Sequence, residues 1–337
     1  FYIHIPFCRS KCKFCEYVKY VNDDIDGEST YIDILIKDIT SFLQLHNNFT
    51  LYGLDIGGGT PTILEEENFK TILQFIKNKV FSKLKLSDDF ESSIEGTFAS
   101  VSEEKIKIIS QCGIKRISFG LQTVNKKFLK DNDRSFPPLE RMVQVLNWCK
   151  QYKIKKVNID LMYGLKNQTK KDLKNSIATI EYLKPEQVTL YEFRTNILNI
   201  KENKTKLQLF NEYKFLYKQL IKLGYKGQFG QNTFSFGDDL GLSSYIKNRM
   251  LNNISYKGFG ISAQSKNSMG VSYNIGKSDK PLKDCLKEGS FIEEDVYILP
   301  KEELLAKYVA ISGYCGRFNL KIMEEILNCD PLKYFSE

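Results

Sequence analysis

Histidine is nearly absent: His4 and His46 are the whole supply in 337 residues. That scarcity argues against acid–base chemistry built on imidazole. Arginine is scarce as well, at seven of the 49 basic residues. Nucleic-acid readers lean on clustered arginine forks. Here the net charge of +8 is carried mostly by lysines scattered among 41 acids. That pattern reads as a solvated surface rather than a nucleic-acid footprint and leaves a mild preference for acidic ligands. No apolar run approaches the ~18 residues needed to cross a bilayer. Residues 1–7 lack the charged start and long apolar centre of an export signal. A cytoplasmic, reducing setting is therefore expected, without a disulfide framework. With 8 Pro, 21 Gly and 42% hydrophobic residues, the composition is that of a chain with an ample core.

Apolar strand patterns alternate with amphipathic helical ones through the first two thirds. Strands are expected over 1–5, 51–56, 92–98, 115–121, 155–162 and 187–193. Helices are expected over 28–45, 65–79, 102–113, 139–152, 170–183 and 206–223. Ser102 is placed to cap its helix, with Glu103 and Glu104 in the first turn. Repeated βα units imply an α/β fold with a parallel sheet and right-handed crossovers. Six units suit either an open doubly wound sheet or a partial (β/α)6 TIM-like barrel. Both collect ligands at the C-terminal strand ends. The core is expected over 1–224. Glycines from Gly227 to Gly276 then punctuate Phe/Tyr-rich runs, a covering segment over 225–299. Residues 300–337 read as helical, which makes the tail a smaller α+β C-terminal region.

Cysteine is the one type that clusters. Cys8, Cys12 and Cys15 form a C-x3-C-x2-C loop directly after the first strand. Thiolates at such spacing favour an iron–sulfur cluster or zinc. Zinc prefers four closed ligands, and no second Cys pair accompanies the three. A three-thiolate [4Fe-4S] cubane would leave one iron for an exogenous ligand. The dispersed Cys112, Cys149, Cys285, Cys315 and Cys329 read as structural thiols. A triple-glycine turn, Gly57 to Gly59, follows the second strand and permits close backbone approach. Alternation sets Glu95 opposite Ile94, and Asp160 lies among Ile159, Leu161 and Met162. A carboxylate inside such a strand needs a partner. Tyr2 and His4 share one side of the first strand.

These segments resemble the radical S-adenosylmethionine (SAM) superfamily, and within it the oxygen-independent coproporphyrinogen III oxidase-like branch. Residues 2–8 (YIHIPFC) match that branch's Y-x-H-I-P-F-C, residues 57–62 its GGGTPT, and residues 158–165 (NIDLMYGL) its N-I-D-L-I-Y-G-L. Residues 330–335 resemble the start of its C-terminal domain. The resemblance implies a radical SAM core in which Cys8, Cys12 and Cys15 hold a [4Fe-4S] cluster and SAM fills the open iron. Gly58, Gly59 and Thr60 would cradle its polar head. Glu95, Gln122, Arg134 and Asp160 would contact it, with Tyr2 near the sulfonium. It also implies reductive cleavage of SAM to a 5′-deoxyadenosyl radical. The electron would come from flavodoxin or ferredoxin, and the substrate would be a small molecule such as a tetrapyrrole.

Three departures bear on that substrate. Tyr17 stands where the coproporphyrinogen oxidases carry a further Cys, and Gln264 stands in SAQS where many relatives read GAHS. Residues 246–251 (IKNRML) lack the H-N-x-x-Y-W element of haem-carrying relatives. The readings left open are an enzyme that opens or alkylates haem, a methyltransferase using two SAM molecules, and a non-enzymatic haem or cluster carrier.

Overall fold

A computed structural model describes the chain except residues 16, 18, 22–26, 194–203, 238–240, 243, 275–281, 292 and 336–337. Gly276, singled out above, lies outside the described residues. Six strands follow one another across one sheet: β1 (Tyr2–Ile5), β2 (Thr50–Gly58), β3 (Lys85–Gly96), β4 (Arg116–Gln122), β5 (Lys156–Tyr163) and β6 (Gln187–Glu192). Each is parallel to its predecessor. A doubly wound sheet reverses its order at a switch point. No reversal occurs among these six, so the winding is that of a barrel. Closure fails because β1 and β6 take other neighbours. Antiparallel β7 (Thr233–Ser235) pairs with β6, and parallel β8 (Gly258–Phe259) pairs with β1. The result is the expected partial (β/α)6 barrel.

Crossovers are made by α1 (Glu28–Leu45), α2 (Glu66–Phe75), α3 (Glu103–Gln111), α4 (Lys126–Asp131), α5 (Leu139–Gln151), α6 (Lys170–Leu183) and α7 (Lys206–Lys222). Their starts are chemically marked. Ser102 accepts from the Lys105 N–H, and Thr169 with Asp172 forms a capping box. Gly113 and Gly224, just past two helices, adopt φ of +80° and +94°. The six-residue α4 is not anticipated by periodicity; Asn125 nucleates it by accepting from the Phe128 N–H at 2.9 Å. The helix expected over 65–79 also changes character, continuing from α2 into a π-helical stretch, Ile76–Phe81.

Period-two alternation sorts the strands by chemistry. Ile3, Ile56, Ile94, Ile117, Ile159 and Val188 are buried in the principal hydrophobic core. Burying each such side chain is worth roughly 1.5–3 kcal/mol. The other face carries Tyr2, Asp55, Glu95, Arg116, Asp160 and Thr189, which line a cavity instead. A closed barrel fills its interior with branched aliphatics; this open one keeps a polar interior. A short helix, α8 (Ser244–Met250), lies across the lower part of that face. A Cβ at Gly53 of β2 would stand 2.8 Å from Tyr245 Cα, so only glycine admits the helix there. Beyond it come a three-stranded antiparallel sheet over Gln264–Lys266, Gly270–Asn274 and Glu293–Ile298, and helices over Lys301–Gly313 and Leu320–Leu327. Leu305, Tyr308, Ile322, Met323 and Leu327 give those helices a small core of their own. Among the described residues no helix is long and apolar enough to cross a membrane.

Candidate functional site

All eleven residues singled out from the sequence line one cavity of about 1190 Å³. The cysteine loop leaves β1 through Pro6 and is clasped at its base. Phe7 and Cys8 pair in parallel with Tyr20 and Val21, and the Tyr20 N–H donates to Pro6 O at 2.8 Å. Ser10 Oγ donates to Asp133 O at 2.7 Å, and Lys13 Nζ lies 3.2 Å from the Asp133 carboxylate. The loop is thus pinned to the segment that follows α4. Burial pushes the Cys8 thiol up, and the neighbouring Cys15 and Cys12 add to the effect. Thr60 opposes it, its Oγ1 standing 3.7 Å from Cys8 Sγ.

The glycine turn explains its composition by contact with protein. The Gly59 N–H donates to Ile5 O and the Thr60 N–H to Phe7 O, both at 2.7 Å. A Cβ at Gly59 would lie 2.8 Å from the Pro6 carbonyl carbon; one at Gly58, where φ is +112°, would lie 2.6 Å from His4 Nδ1. These glycines therefore seat β2 against the entry to the cysteine loop, besides offering backbone to the cavity.

Three carboxyl groups face one another across the interior. Glu95 is half-buried, and its carboxyl is pushed up to about 8, first by desolvation and then by Asp55 and Asp160. Its Oε2 accepts from the Gly58 N–H at 3.3 Å. Asp160 is pushed up to about 6 by burial, with Arg116 opposing the rise. It accepts from Asn158 Nδ2 at 2.7 Å and from Ser118 Oγ. Asp55 is likewise raised by burial, countered by Arg116 and Arg249, and accepts from Ser93. Tyr2 Oη and His4 Nδ1 are 3.0 Å apart. Asp55, Glu95 and Asp160 make this part of the cleft acidic, while Arg9, Lys19, Arg116, Arg134, Lys206 and Arg249 also line the cavity, so it offers charge of both signs to a zwitterionic ligand.

Gln122 and Arg134 meet over Gly120. A Cβ there would lie 2.8 Å from Arg134 Nη2 and 2.9 Å from Gln122 Nε2. Gln122 has φ of +68°, and its buried Oε1 has no hydrogen-bond partner. A buried acceptor left without a partner is uncommon, and here it belongs to a residue that lines the cavity. Arg134 does not take the surface pairing with Asp131 or Asp133 that sequence proximity offers. It turns inward, donating to Gly120 O, with Nη1 3.7 Å from Cys12 Sγ and its guanidinium 5.9 Å above the Phe14 ring.

Sequence reasoning passed over Asp55, Arg116, Tyr191 and Arg249, which also line the cavity. Alternation could have found the first two, since Asp55 sits between Leu54 and Ile56, and Arg116 precedes Ile117 and Ser118 in the same register. Arg249 comes from α8, far along the chain, and carries no local signal. Among the described residues no three His, Cys, Asp or Glu side chains gather closely enough to hold a single metal ion. A cubane asks for something else, each thiolate gripping its own iron.

Comparison with known proteins places the chain in a family. The sequence profile of the Radical SAM superfamily matches residues 2–180. The chain is 32% identical over 263 residues to the heme chaperone HemW of Buchnera aphidicola subsp. Schizaphis graminum, covering 72% of this chain and 67% of that protein. It is 30% identical over 193 residues to the oxygen-independent coproporphyrinogen III oxidase of Helicobacter pylori, covering 57% of this chain and 41% of that one. Among solved structures, coproporphyrinogen III oxidase (HemN) from Escherichia coli, a radical SAM enzyme, superposes with a TM-score of 0.82. That match spans all of this chain and 80% of the other, at 23% identity. The chain belongs to the radical SAM superfamily, in the branch shared by the coproporphyrinogen III oxidases and the HemW heme chaperones.

Proposed function

We propose that this chain is a radical SAM enzyme acting on a tetrapyrrole, with Cys8, Cys12 and Cys15 as the ligands of a [4Fe-4S] cluster. The carrying observation is convergence: three thiols from one clasped loop, a glycine turn seated on that loop, and three half-buried carboxyls share a single cavity. The donor set fits the group. Sulfur is the ligand such clusters take, and three sulfurs leave one iron for SAM. When bound, the cluster supplies the electron that divides SAM into methionine and a 5′-deoxyadenosyl radical.

The chain's own residues bind, orient and exclude water. The turn at Gly58, Gly59 and Thr60 takes the polar head of SAM, and Gln122 Oε1 accepts a hydrogen bond from it. Glu95 and Asp160 bring negative charge toward the sulfonium, and Tyr2 stands beside it. Arg134 holds the Cys12 side of the loop. The flank of the cavity formed by Tyr163, Tyr191, Phe210 and Tyr213 suits a broad planar substrate. Flavodoxin or ferredoxin would deliver the electron.

The test is direct. Protein reconstituted anaerobically with iron and sulfide should, with dithionite and SAM, form 5′-deoxyadenosine, and Cys12→Ala should lose the brown colour, the labile sulfide and that product together. A second reading, a haem carrier, is favoured by the 32% identity to a protein named as a heme chaperone. Stoichiometric haem binding without any 5′-deoxyadenosine would replace the enzyme reading with that one.

A further inference from the structure

Behind α8 lies a second cavity, of about 730 Å³, separated from the first by Tyr245, Arg249 and Tyr256, which line both. Its walls are largely apolar, including Phe42, Phe49, Val271, Met269 and Ile298. Among the described residues lining it there is no Asp or Glu, and the Lys and Arg side chains are Arg249, Lys257 and Lys266. Lys266 is 7% exposed, and its ammonium donates to the neutral Asn253 side-chain oxygen rather than to a carboxylate. Burial, then Lys307 and Arg249 nearby, pushes Lys266 down to about 8. Two further donors on this wall, Asn248 Nδ2 and Arg249 Nε, are buried without a hydrogen-bond partner. The Arg249 guanidinium lies over the Tyr256 ring, 4.6 Å from its centroid, a cation–π contact that helps hold it in place.

Asp55 already answers part of the Arg249 charge from the first cavity, so the cost falls on Lys266 and on the orphaned N–H groups, which an apolar hollow penalises unless an anion meets them. We infer that this cavity is a binding site for an organic carboxylate with an apolar, aromatic body. The carboxylate meets Lys266, Arg249 and Asn248, and the body packs among Phe42, Phe49 and Val271. The assignment is independent of the chemistry proposed for the first cavity.

The probes are 2-naphthoate and its neutral isostere 2-naphthamide, titrated into the whole protein by calorimetry. Naphthoate should bind at least tenfold more tightly than the amide. Lys266→Met should erase that preference while leaving the amide's affinity unchanged, and Lys266→Arg should restore it. Ile298→Trp should weaken both ligands at least tenfold, because Ile298 lines this cavity yet is 83% exposed and free to change without disturbing the core. Equal affinities for acid and amide would overturn the assignment. So would naphthoate binding that ignores both the Lys266→Met and Ile298→Trp changes, or that saturating SAM abolishes.

Discussion

A carboxyl group pushed up to about 8 holds its proton at neutral pH, and Glu95 does so beside the proposed seat of a sulfonium. A cation there favours the carboxylate, so the proton leaves as the ligand arrives. Below about pH 8 SAM must displace that proton; above it the group is already ionised. Affinity for SAM should therefore climb with pH, by up to about tenfold per unit, and level off near pH 8. Calorimetry in buffers of differing ionisation enthalpy should report one proton released near pH 7. Glu95→Gln should abolish that release and cost about tenfold in affinity, or ~1.4 kcal/mol. A variant that keeps the pH slope would dismiss Glu95 from this role. The same shift acts on folding. Between the ordinary glutamate range and about 8 the folded state binds more protons than the unfolded one, so the ligand-free protein loses stability as pH rises. Glu95→Gln should flatten that decline in melting temperature.

Between elements, the decisive contact is β2 on the cysteine loop. Gly59→Ala would drive a methyl group against the carbonyls of Pro6 and Phe7, a kind of overpacking that costs typically about 1–3 kcal/mol. We expect a matching fall in the urea midpoint and a lowered iron content after reconstitution; unchanged iron at reduced stability would make the glycine a folding residue only. Much of this architecture was legible beforehand. Six βα periods, the cysteine spacing and the strand alternation are local, and they led to the parallel sheet and to residues that meet in one cavity. Other features depend on partners distant in sequence. The strand expected over 92–98 begins earlier: β3 starts at Lys85 and runs through Asp88, Asp89 and Glu91, where Glu91 pairs with Lys156 of β5 at 2.8 Å. Arg134 has two aspartates close in sequence, but Lys13 takes Asp133 and frees the guanidinium to turn inward. Nothing local marks Tyr245 and Arg249 as a wall between two cavities, since it is α8 against Gly53 that puts them there.

For the molecule as a whole, a polar hollow in place of an aliphatic barrel core leaves stability to be completed by what fills it. A ligand that binds only the folded state, at 100 times its Kd, adds about 2.7 kcal/mol. Reconstituted protein with SAM in that excess should melt several degrees higher than without it, and Asp160→Asn should shrink the shift; an unshifted transition would show that SAM does not bind the folded state at this site. The same openness carries a hazard. A parallel sheet that never closes has two raw rims, each a template on which another chain could add. Here both rims end in very short strands, β7 and β8, three and two residues long. Their flanks are already engaged: Lys226 bridges to Ser235, and Asn274 donates to Gly260 O at 2.9 Å. The barrel can thus stay ajar wide enough for a bulky guest without offering its borders as a seed for self-assembly.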